Sequence, residues 1–560
     1  MEVMKTKISG FLVLALVIVL TFALAACGTA DEPAAQPAAV EAVEEPAEEV
    51  AQPEPAPADE PEEEVEEDTE EEVVVEIVAT DAIVWVTMSE SPTLDPIVQN
   101  DSATSDITHQ IMEGLMWYAP GDILEPLLAE SYTISADGLT YTFNLRQGVY
   151  FHDGTPFTAD AVKMSFERLL DPDSGSPGAF ILEMIEEVNV VDDHIVDIVL
   201  EFPFSPFTAH LTHQVGFIMS PAAMEEAAAG GRSVAENPIG TGPFVFAYRD
   251  HGNYTRLTPN ANHWRATPAH EVIFRVVPDT ATRLAMLNTG EAHAMTGLAS
   301  QVHELYTMHH VDWWRIQTTS LTYIGFQTQQ DGPLSDARVR RAITMAINAE
   351  DILYGVQEGE GVLAVGPIRG GLVTHAPTDV VGLPFDPDAA RELLAEAGFP
   401  DGFSTSIWTN EGNAVRARIS ELVQANLAAI GIELDIQILE WGTYLDQTAA
   451  GLHDMFLLGW VTMTGDADYG IYPLLHSGEI GGANRFFYEN PVVDALLEEA
   501  RQSTDGAERD RLYREVVEIL VDDAPVIFLF HPDTPVITNG IDGMVFDFTV
   551  TPFFFNTTLR

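Results

Sequence analysis

The sequence is poor in cysteine, in lysine and in positive charge of any kind. Its 560 residues contain one cysteine, Cys27, so neither an intrachain disulfide nor a metal site built from several thiolates can form. Lysine occurs only at Lys5, Lys7 and Lys163, and 25 basic residues face 88 acidic ones, a formal charge of −63. A surface of that sign repels phosphate backbones, which excludes nucleic-acid binding as a function.

Motifs for hydrolytic, metal or nucleotide chemistry are also lacking. The sequence has no His-Glu-x-x-His, no Gly-x-Ser-x-Gly and no Asp-x-Asp-x-Asp-Gly loop. The glycine-rich stretch 240–243 ends in Pro243, which removes a backbone donor, so it reads as a rigid turn. His309 and His310 would point to different sides of a helix or strand and are better interpreted as surface residues than as metal ligands. We therefore predict that the protein is not an enzyme and has no catalytic residue, metal or cofactor.

The amino-terminal residues include an apolar run that indicates where in the cell the protein is located. Lys5 and Lys7 precede the apolar segment 8–26, and the segment ends in the sequence Leu24-Ala25-Ala26-Cys27. This resembles a bacterial lipoprotein signal, in which residues 1–26 are removed and Cys27 carries the lipid. The alternative is an uncleaved membrane-spanning helix, since the run is long enough to cross a bilayer. We favour the lipoprotein because the one cysteine stands where such a signal requires it.

Residues 27–72 differ sharply in composition from the rest. Nineteen acidic residues and no lysine or arginine occur between 28 and 72, mostly among proline, alanine and glutamate. Such a segment has too little apolar surface to offset the entropy lost on ordering, and its like charges extend it. We predict a lipid-anchored disordered linker, either a spacer between membrane and folded body or a solvated tail that serves solubility alone.

The remaining body alternates short strand patterns with amphipathic helical patterns. Runs rich in β-branched and aromatic residues predict strands at 83–88, 140–145, 194–200, 244–248, 272–277, 321–327, 405–408, 433–439 and 455–460. Apolar residues at helical spacing predict helices at 159–170, 336–347, 388–397, 415–430 and 510–520. Strands interleaved with helices over this length indicate α/β lobes.

Many ordered motifs of the body carry a family resemblance. They are Thr93-Leu94-Asp95-Pro96, Glu113-Gly114-Leu115, and the stretches 126–131, 137–148, 151–163, 237–243, 287–291, 339–342, 386–387, 393–398, 441–445, 459–460 and 511–513. Together they resemble the solute-binding proteins of ABC importers for oligopeptides, dipeptides, nickel and glutathione. The resemblance extends from about residue 83 to the carboxyl end.

The resemblance implies an α/β, two-lobed periplasmic-binding-protein fold of type II, with a hinge that lets the lobes close on a ligand. By similarity, residues 80–317 and 531–560 would form lobe I, and residues 318–530 would form lobe II. The family's partners are ABC permease subunits in the membrane. We accordingly expect a monomer held on the outer face of the cytoplasmic membrane by the lipid at Cys27.

The resemblance indicates the class of ligand less specifically than it indicates the fold. Dipeptide-binding relatives hold the ligand's amino group with an aspartate three residues after a Gly-Trp pair, where this chain has Met463. They hold the ligand's carboxylate with an arginine in a longer loop, and the loop 409–413 here contains none. A buried charged terminus without its partner costs several kcal/mol, so binding of that type is disfavoured. The stretches around 402–408, 459–469 and 487–490 look more similar to the glutathione-binding branch.

Ligand contacts are predicted on both lobes. Aromatic rings near strand ends often wall a ligand cleft, although core packing explains such rings as well. Acids at the cleft would accept from a ligand ammonium, and an arginine would meet a carboxylate, although helix caps or turns explain the acids equally. The predicted ligand-binding residues are Ser89, Glu90, Arg369, Trp408, Asn410, Trp441, Trp460, Thr464, Asp466 and Asp468.

Other functions stay open from the sequence. A peptide-class solute, either an oligopeptide or a glutathione-like molecule, is favoured. A nickel or metallophore carrier, or an oligosaccharide-binding protein of the same importer class, is the first alternative. A secreted hydrolase is the second, with no nucleophile evident.

Overall fold

A computed structural model describes residues 81–99 and 101–560. The predicted signal, Cys27 and the acidic linker lie outside these residues. The strands of the described part are β1 (Ala82–Thr87), β2 (Glu113–Gly114), β3 (Met116–Ala119), β4 (Ile123–Pro126), β5 (Ala129–Ile134), β6 (Thr140–Leu145), β7 (Ile185–Asp192), β8 (Ile195–Leu200), β9 (Phe217–Ile218), β10 (Phe244–Asp250), β11 (Tyr254–Pro259), β12 (Glu271–Val276), β13 (Ala294–Thr296), β14 (Asp312–Gln317), β15 (Ser320–Phe326), β16 (Gly361–Leu363), β17 (Ser404–Asn410), β18 (Glu433–Leu439), β19 (Met455–Val461), β20 (Val526–Thr538), β21 (Ile541–Asp542), β22 (Val545–Phe546), β23 (Pro552–Phe553) and β24 (Thr558–Leu559).

Helices connect most of these strands. They are α1 (Ser102–Ile111), α2 (Ala159–Leu170), α3 (Phe207–His210), α4 (Pro221–Ala228), α5 (Thr280–Thr289), α6 (Val302–Leu305), α7 (Ala337–Ala346), α8 (Ala349–Val356), α9 (Pro387–Glu396), α10 (Ala414–Ala428), α11 (Trp441–Ala449), α12 (Ala467–Leu475), α13 (Pro491–Gln502) and α14 (Gly506–Asp523). Over the residues described, no helix is both long and apolar enough to cross a membrane.

The predicted elements are confirmed with small shifts. All nine predicted strands are present with bounds within two residues, as are four predicted helices, and the predicted helix 510–520 lies inside the longer α14. The acid-rich composition supplies several helix caps: carboxylate or amide side chains accept backbone N–H bonds at the starts of α7, α10, α12 and α14, through Asp336, Asn413, Asp466 and Asp505.

One large mixed sheet runs through the described residues in the order β10-β11-β12-β1-β13-β20-β15-β19-β17-β18, with β14 and β16 also paired to β20. Strand β20 is its centre. Its residues 526–532 pair with β15 and β16, whereas residues 533–538 pair with β13 and β14. Sequence patterning missed this strand because Pro532 and Pro535 interrupt it, and proline argues against a central strand.

The chain changes sheet partners twice near the same place. Strand β14 ends at Gln317 and β15 begins at Ser320, with Thr318 and Thr319 buried between them. On β20 the change of partners falls between Pro532 and Asp533. The two changes of partner lie close together, because β14 and β15 both pair with β20. The two halves of the sheet are therefore joined by two segments of the chain.

Separate apolar cores pack on the two halves. One surrounds the four-stranded sheet β5-β6-β8-β7 and α2, with Phe143 and Phe166 fully buried. A second fills the space between α7, α10 and β17, with Ile343 and Val423 at its centre. A third packs α12, α13 and α14 on the opposite face of β15 and β19. Burial of aromatic and aliphatic side chains in these clusters supplies the main stabilising term.

Candidate ligand-binding site

Four predicted ligand contacts lie at the carboxyl end of β19 and the start of α12. Trp460 is the next-to-last residue of the strand, donates its indole N–H to the carbonyl oxygen of Tyr469 at 3.1 Å, and stacks on the Tyr469 ring with centroids 5.4 Å apart. Thr464 is buried in the following loop. Asp466 caps α12, and Asp468 lies in its first turn. The structure therefore brings Trp460, Thr464, Asp466 and Asp468 together.

Both acids of this group already hold arginines. Asp466 forms a two-point ion pair with Arg509, at 2.6 and 3.0 Å, and Asp468 Oδ2 lies 3.2 Å from Arg501 Nη2. Burial of the Asp466 carboxylate opposes its ionisation, but the ion pair with Arg509 outweighs burial and holds the pKa of Asp466 below its usual value. The helix-cap interpretation of Asp466 thus has direct structural support, and its contact with a ligand stays a prediction.

The same segment contacts the other half of the molecule. The Tyr118 hydroxyl donates to the carbonyl oxygen of Thr464 at 2.5 Å, and the buried His210 Nε2 lies 3.5 Å from Asp468 Oδ2. The backbone N–H of Ser205 donates to the carbonyl oxygen of Arg501 at 2.9 Å. These contacts close the space beside β19 from the side of β3 and α3.

A second group gathers around an arginine that the sequence patterns did not single out. Arg416, in the first turn of α10, donates from Nη1 to Asn410 Oδ1 at 2.7 Å, and its guanidinium lies 5.8 Å from the Trp441 ring. Within the described chain no carboxylate lies within 4 Å of it. Burial lowers the pKa of Arg416, while the Tyr444 and Tyr323 hydroxyls act in the opposite direction.

Arg416 lies only a few residues after the loop 409–413, which lacks the family's arginine. A search for an arginine within the loop itself misses it, because the side chain comes back towards the strand from the helix that follows. Trp441 is 45% exposed and stacks on Tyr444, whereas Trp408 is buried in the core with its ring edge-on to His453. Trp408 therefore occupies the core position that the sequence left as an alternative to cleft lining.

The other three predicted contacts lie elsewhere. Ser89 is exposed, and Glu90 accepts from Arg249 at 2.6 Å and from the backbone N–H of Gly252 at 2.8 Å. Burial opposes ionisation of Glu90, but the contacts with Arg249, the Gly252 N–H and His251 together outweigh burial and lower the pKa of Glu90. Arg369 is buried, with Nη1 2.7 Å from Asp533 Oδ1. Their roles in ligand binding stay predictions, and the guanidinium of Arg369 already has a carboxylate partner.

A cavity of about 40 Å³ lies next to Met463. That volume admits about three water-sized groups. Aromatic rings form much of its wall, and its other polar lining residues are His109, Glu113, Thr212, His213, Arg265, Asp547 and Thr549. The aromatic lining residues are Trp117, Tyr118, Phe217, Phe553 and Phe555.

The polar groups of this cavity have unused hydrogen-bonding capacity. His213 is 2% exposed; its Nδ1 accepts from the backbone N–H of Val215, and its Nε2 has no partner among the described residues. Burial lowers the pKa of His213 to about 3, so the ring is neutral and Nε2 carries the proton. Arg265 lies 4.0 Å from the Trp117 ring centroid, a cation–π contact that leaves its N–H groups available.

Asp547 lies in the turn between β22 and β23. Its Oδ1 accepts three bonds, from the Thr549 N–H at 2.8 Å, the Thr549 hydroxyl at 2.5 Å and the Thr551 N–H at 3.1 Å. In the described part of the chain, Oδ2 has no hydrogen-bond partner and no cation lies within 4 Å of the carboxylate. Burial raises the pKa of Asp547 to about 6 despite these bonds, with Asp122 adding to the rise.

Comparison with known proteins gives consistent matches. The sequence model of bacterial extracellular solute-binding proteins, family 5, matches residues 124–482. The chain is 32% identical over 464 residues to the glutathione-binding protein GsiB of Pectobacterium atrosepticum, covering 80% of this chain and 88% of the relative.

Solved structures of binding proteins also match the chain. The periplasmic binding protein DppA of Helicobacter pylori, in complex with the peptide STSA, matches with a TM-score of 0.78 and 30% identity, covering 85% of this chain and 98% of that one. A dipeptide-binding protein of Pseudoalteromonas in complex with Met-Leu matches with a TM-score of 0.79 and 26% identity, covering 86% and 100%. These matches confirm the expected α/β, two-lobed fold of type II periplasmic binding proteins.

Proposed function

The chain belongs to the bacterial extracellular solute-binding proteins of family 5, and from this membership we propose that it captures a peptide-class solute, an oligopeptide or a glutathione-like molecule, for an ABC importer. The relatives named above are described as binding proteins, and DppA as associated with an ABC transporter. GsiB is described as glutathione-binding, and the DppA and Pseudoalteromonas structures hold peptides.

The observation that carries the ligand class is Arg416. Arg416 is half-buried, and its guanidinium has one amide partner and lies next to an exposed indole. Such a guanidinium is suited to a planar carboxylate, which it can bind with two parallel hydrogen bonds. Asn410 orients the guanidinium, and Trp441 offers a face on which a peptide plane can stack. Arg416 would thus supply the carboxylate contact that the short loop 409–413 lacks.

Closure of two lobes is the proposed capture step. We place lobe I at residues 80–317 and 531–560 and lobe II at residues 318–530, because the strand partners change at Thr318–Thr319 and after Pro532. A clamp joined by two segments closes by rotation about them, and ligand favours closure through contacts made only in the closed arrangement. The bond from Tyr118 to Thr464 is one contact of this kind.

Delivery would follow at the membrane. We propose that residues 1–26 act as a lipoprotein signal, that Cys27 carries the lipid, and that residues 27–72 link the lipid to the folded body on the outer face of the cytoplasmic membrane. The binding protein, a monomer, would then meet the permease subunits of its importer there.

Calorimetry on the purified protein tests the ligand class. The probes are glutathione, Ser-Thr-Ser-Ala, Met-Leu, a nickel–histidine complex and maltotriose. We expect binding of at least one of the three peptide-class probes and an Arg416→Gln affinity about tenfold or more weaker, because a charge-assisted contact is lost. Arg418→Gln, an exposed arginine on the same helix, is the matched control.

Binding of only the nickel complex or only the sugar would assign one of the alternative ligands and contradict the proposal. Equal affinities of wild type and Arg416→Gln for a peptide probe would remove Arg416 from the site while leaving the ligand class intact.

A further inference from the structure

The cavity beside Met463 presents a carboxylate where the family pattern predicts none. Dipeptide-binding relatives place their amine-binding aspartate at the position of Met463, on the segment that follows β19. Here Met463 forms part of the cavity wall, and two carboxylates line the same cavity. Glu113 is already bonded to Thr241, His263 and Trp264. The other is Asp547, from the turn between β22 and β23. By the proposed lobe division, the acid has moved from lobe II to lobe I.

We propose that Asp547 binds the primary ammonium group of the ligand, and that the cavity holds this group with its α-carbon. This rests on the proposed function, because it identifies one end of the same peptide-class solute. The carboxylate lines the cavity with one oxygen held by the turn and the other without a partner in the described structure.

The turn makes Asp547 a preorganised acceptor. Three donors hold Oδ1, so the carboxylate plane cannot rotate freely, and Oδ2 stays available. An ammonium that enters the cavity therefore meets an acceptor whose orientation needs no further ordering, which lowers the entropic cost of binding.

Electrostatics favours a cation at this place. Asp122, in the turn after β3, repels the Asp547 charge. Arg265 also lines the cavity, but in the region described it does not come within 4 Å of the Asp547 carboxylate. A ligand ammonium would supply the missing opposite charge in a poorly solvated space.

His213 provides a second, independent sign of a ligand. His213 lines the cavity, and its buried Nε2 has no hydrogen-bond partner in the part of the chain that the structure describes. Leaving a buried donor unpaired costs about 1–3 kcal/mol, so such a group is expected to have a partner when the site is filled. The carbonyl oxygen next to the ammonium group of a peptide is an acceptor of the required kind.

The size of the cavity agrees with this assignment. Its volume of about 40 Å³ is far too small for a whole peptide but accommodates an ammonium group with its α-carbon. The aromatic wall built by Trp117, Phe553 and Phe555 excludes water around that group, and this strengthens its attraction to Asp547.

The test compares free and N-acetylated probes on the purified protein. Glutathione and Ser-Thr-Ser-Ala are each used with the amino group free and acetylated, and calorimetry gives the ratio of the two affinities. For wild type we expect acetylation to weaken binding by at least about tenfold. In Asp547→Asn, which keeps an acceptor for the Thr549 and Thr551 donors, we expect the ratio to fall to about one.

Three further variants sharpen the comparison. Asp193→Asn removes an exposed charge of a residue that does not line the cavity and should keep the wild-type ratio. Asp547→Asn combined with Met463→Asp restores a carboxylate at the family's position and should restore the preference for the free amine. Met463→Lys places a tethered ammonium beside Asp547 and should abolish that preference even if Asp547→Asn fails to fold.

The outcomes separate the two proposals. If wild type binds a peptide-class probe and the acetylation ratio is unchanged in Asp547→Asn or in Met463→Lys, the assignment of Asp547 is wrong and the proposed function stands. If wild type binds none of the three free-amine probes, glutathione, Ser-Thr-Ser-Ala and Met-Leu, the proposed function fails and the role of Asp547 fails with it.

Discussion

Arg369 Nη1 lies 2.7 Å from Asp533 Oδ1 and 3.3 Å from the carbonyl oxygen of Thr318. Thr318 belongs to the first segment that joins the two halves of the sheet, and Asp533 lies on the second, where β20 changes partners. One buried guanidinium therefore ties the two connecting segments together.

This geometry predicts how Arg369→Met behaves. If Arg369 holds the connecting segments, the variant loses stability by about 3–5 kcal/mol, because Asp533 remains as a mostly buried charge without its partner. It should also bind a peptide and its carboxyl-amidated form with the wild-type ratio of affinities. Urea unfolding and calorimetry measure the two effects. If the ratio of the affinities for the peptide and its amidated form falls towards one in Arg369→Met but not in wild type, Arg369 contacts the ligand carboxylate.

The Asp466–Arg509 pair leads to a second prediction. Asp466→Asn should destabilise the fold by about 3–5 kcal/mol, because it leaves the Arg509 guanidinium buried without a counter-charge. Replacing both, as Asp466→Leu with Arg509→Met, should recover much of that loss. Urea denaturation measures each free energy of unfolding. An unchanged midpoint in Asp466→Asn would show that the pair contributes nothing to stability.

The pH dependence of the same pair has a definite sign. Because the folded-state pKa of Asp466 lies below its ordinary value of 3.8, its stabilising contribution is present above pH 3.8. It is lost as the pH falls through the lower folded-state pKa. Wild type and Asp466→Asn should therefore converge in stability in strong acid.

Buried histidines predict acid sensitivity at milder pH. His453 is fully buried, its ring nitrogens have no partner within the described residues, and burial lowers its pKa to about 4. The neutral form is then favoured in the folded state, so stability falls as the pH drops below 6.5, by about 2 kcal/mol at pH 5 for this group.

His453→Phe should remove that contribution. We expect the variant to lose less stability than wild type between pH 7.5 and pH 5, as followed by urea unfolding at each pH. His310→Gln, at an exposed position, is the control and should follow the wild-type profile. A His453→Phe profile parallel to wild type would contradict the assignment of a neutral buried ring.

The lipid anchor is testable at Cys27. In cells, wild type should fractionate with membranes and incorporate labelled palmitate, because acyl chains contribute about 0.8 kcal/mol per buried methylene. Cys27→Ser should incorporate no label. If wild type incorporates no palmitate and still fractionates as an integral membrane protein, the uncleaved helix is the correct interpretation of residues 8–26.

Much of the local structure could be predicted from the sequence. Apolar periodicity placed helix 159–170 at its observed bounds, because Val162, Phe166 and Leu169 follow the helical repeat and all three are buried. Strand β20 escaped prediction because its two prolines break the pattern, while the pairing partners that stabilise it lie far away in sequence. Local patterns report local preferences, and β20 depends on distant strands.

The candidate site, too, could be predicted from the sequence only in part. The sequence alone determined which residue types stand near the ends of β17 and β19, the loss of the family's amine-binding acid at Met463, and membership of a solute-binding family. Only the tertiary structure decided which charges are already paired: Asp466 with Arg509, 43 residues away, and Arg369 with Asp533, 164 residues away. It also brought Asp547 to the cavity beside Met463. The physical reason is that ionic pairing depends on distance in space and on burial, and neither can be read from the order of residues along the chain.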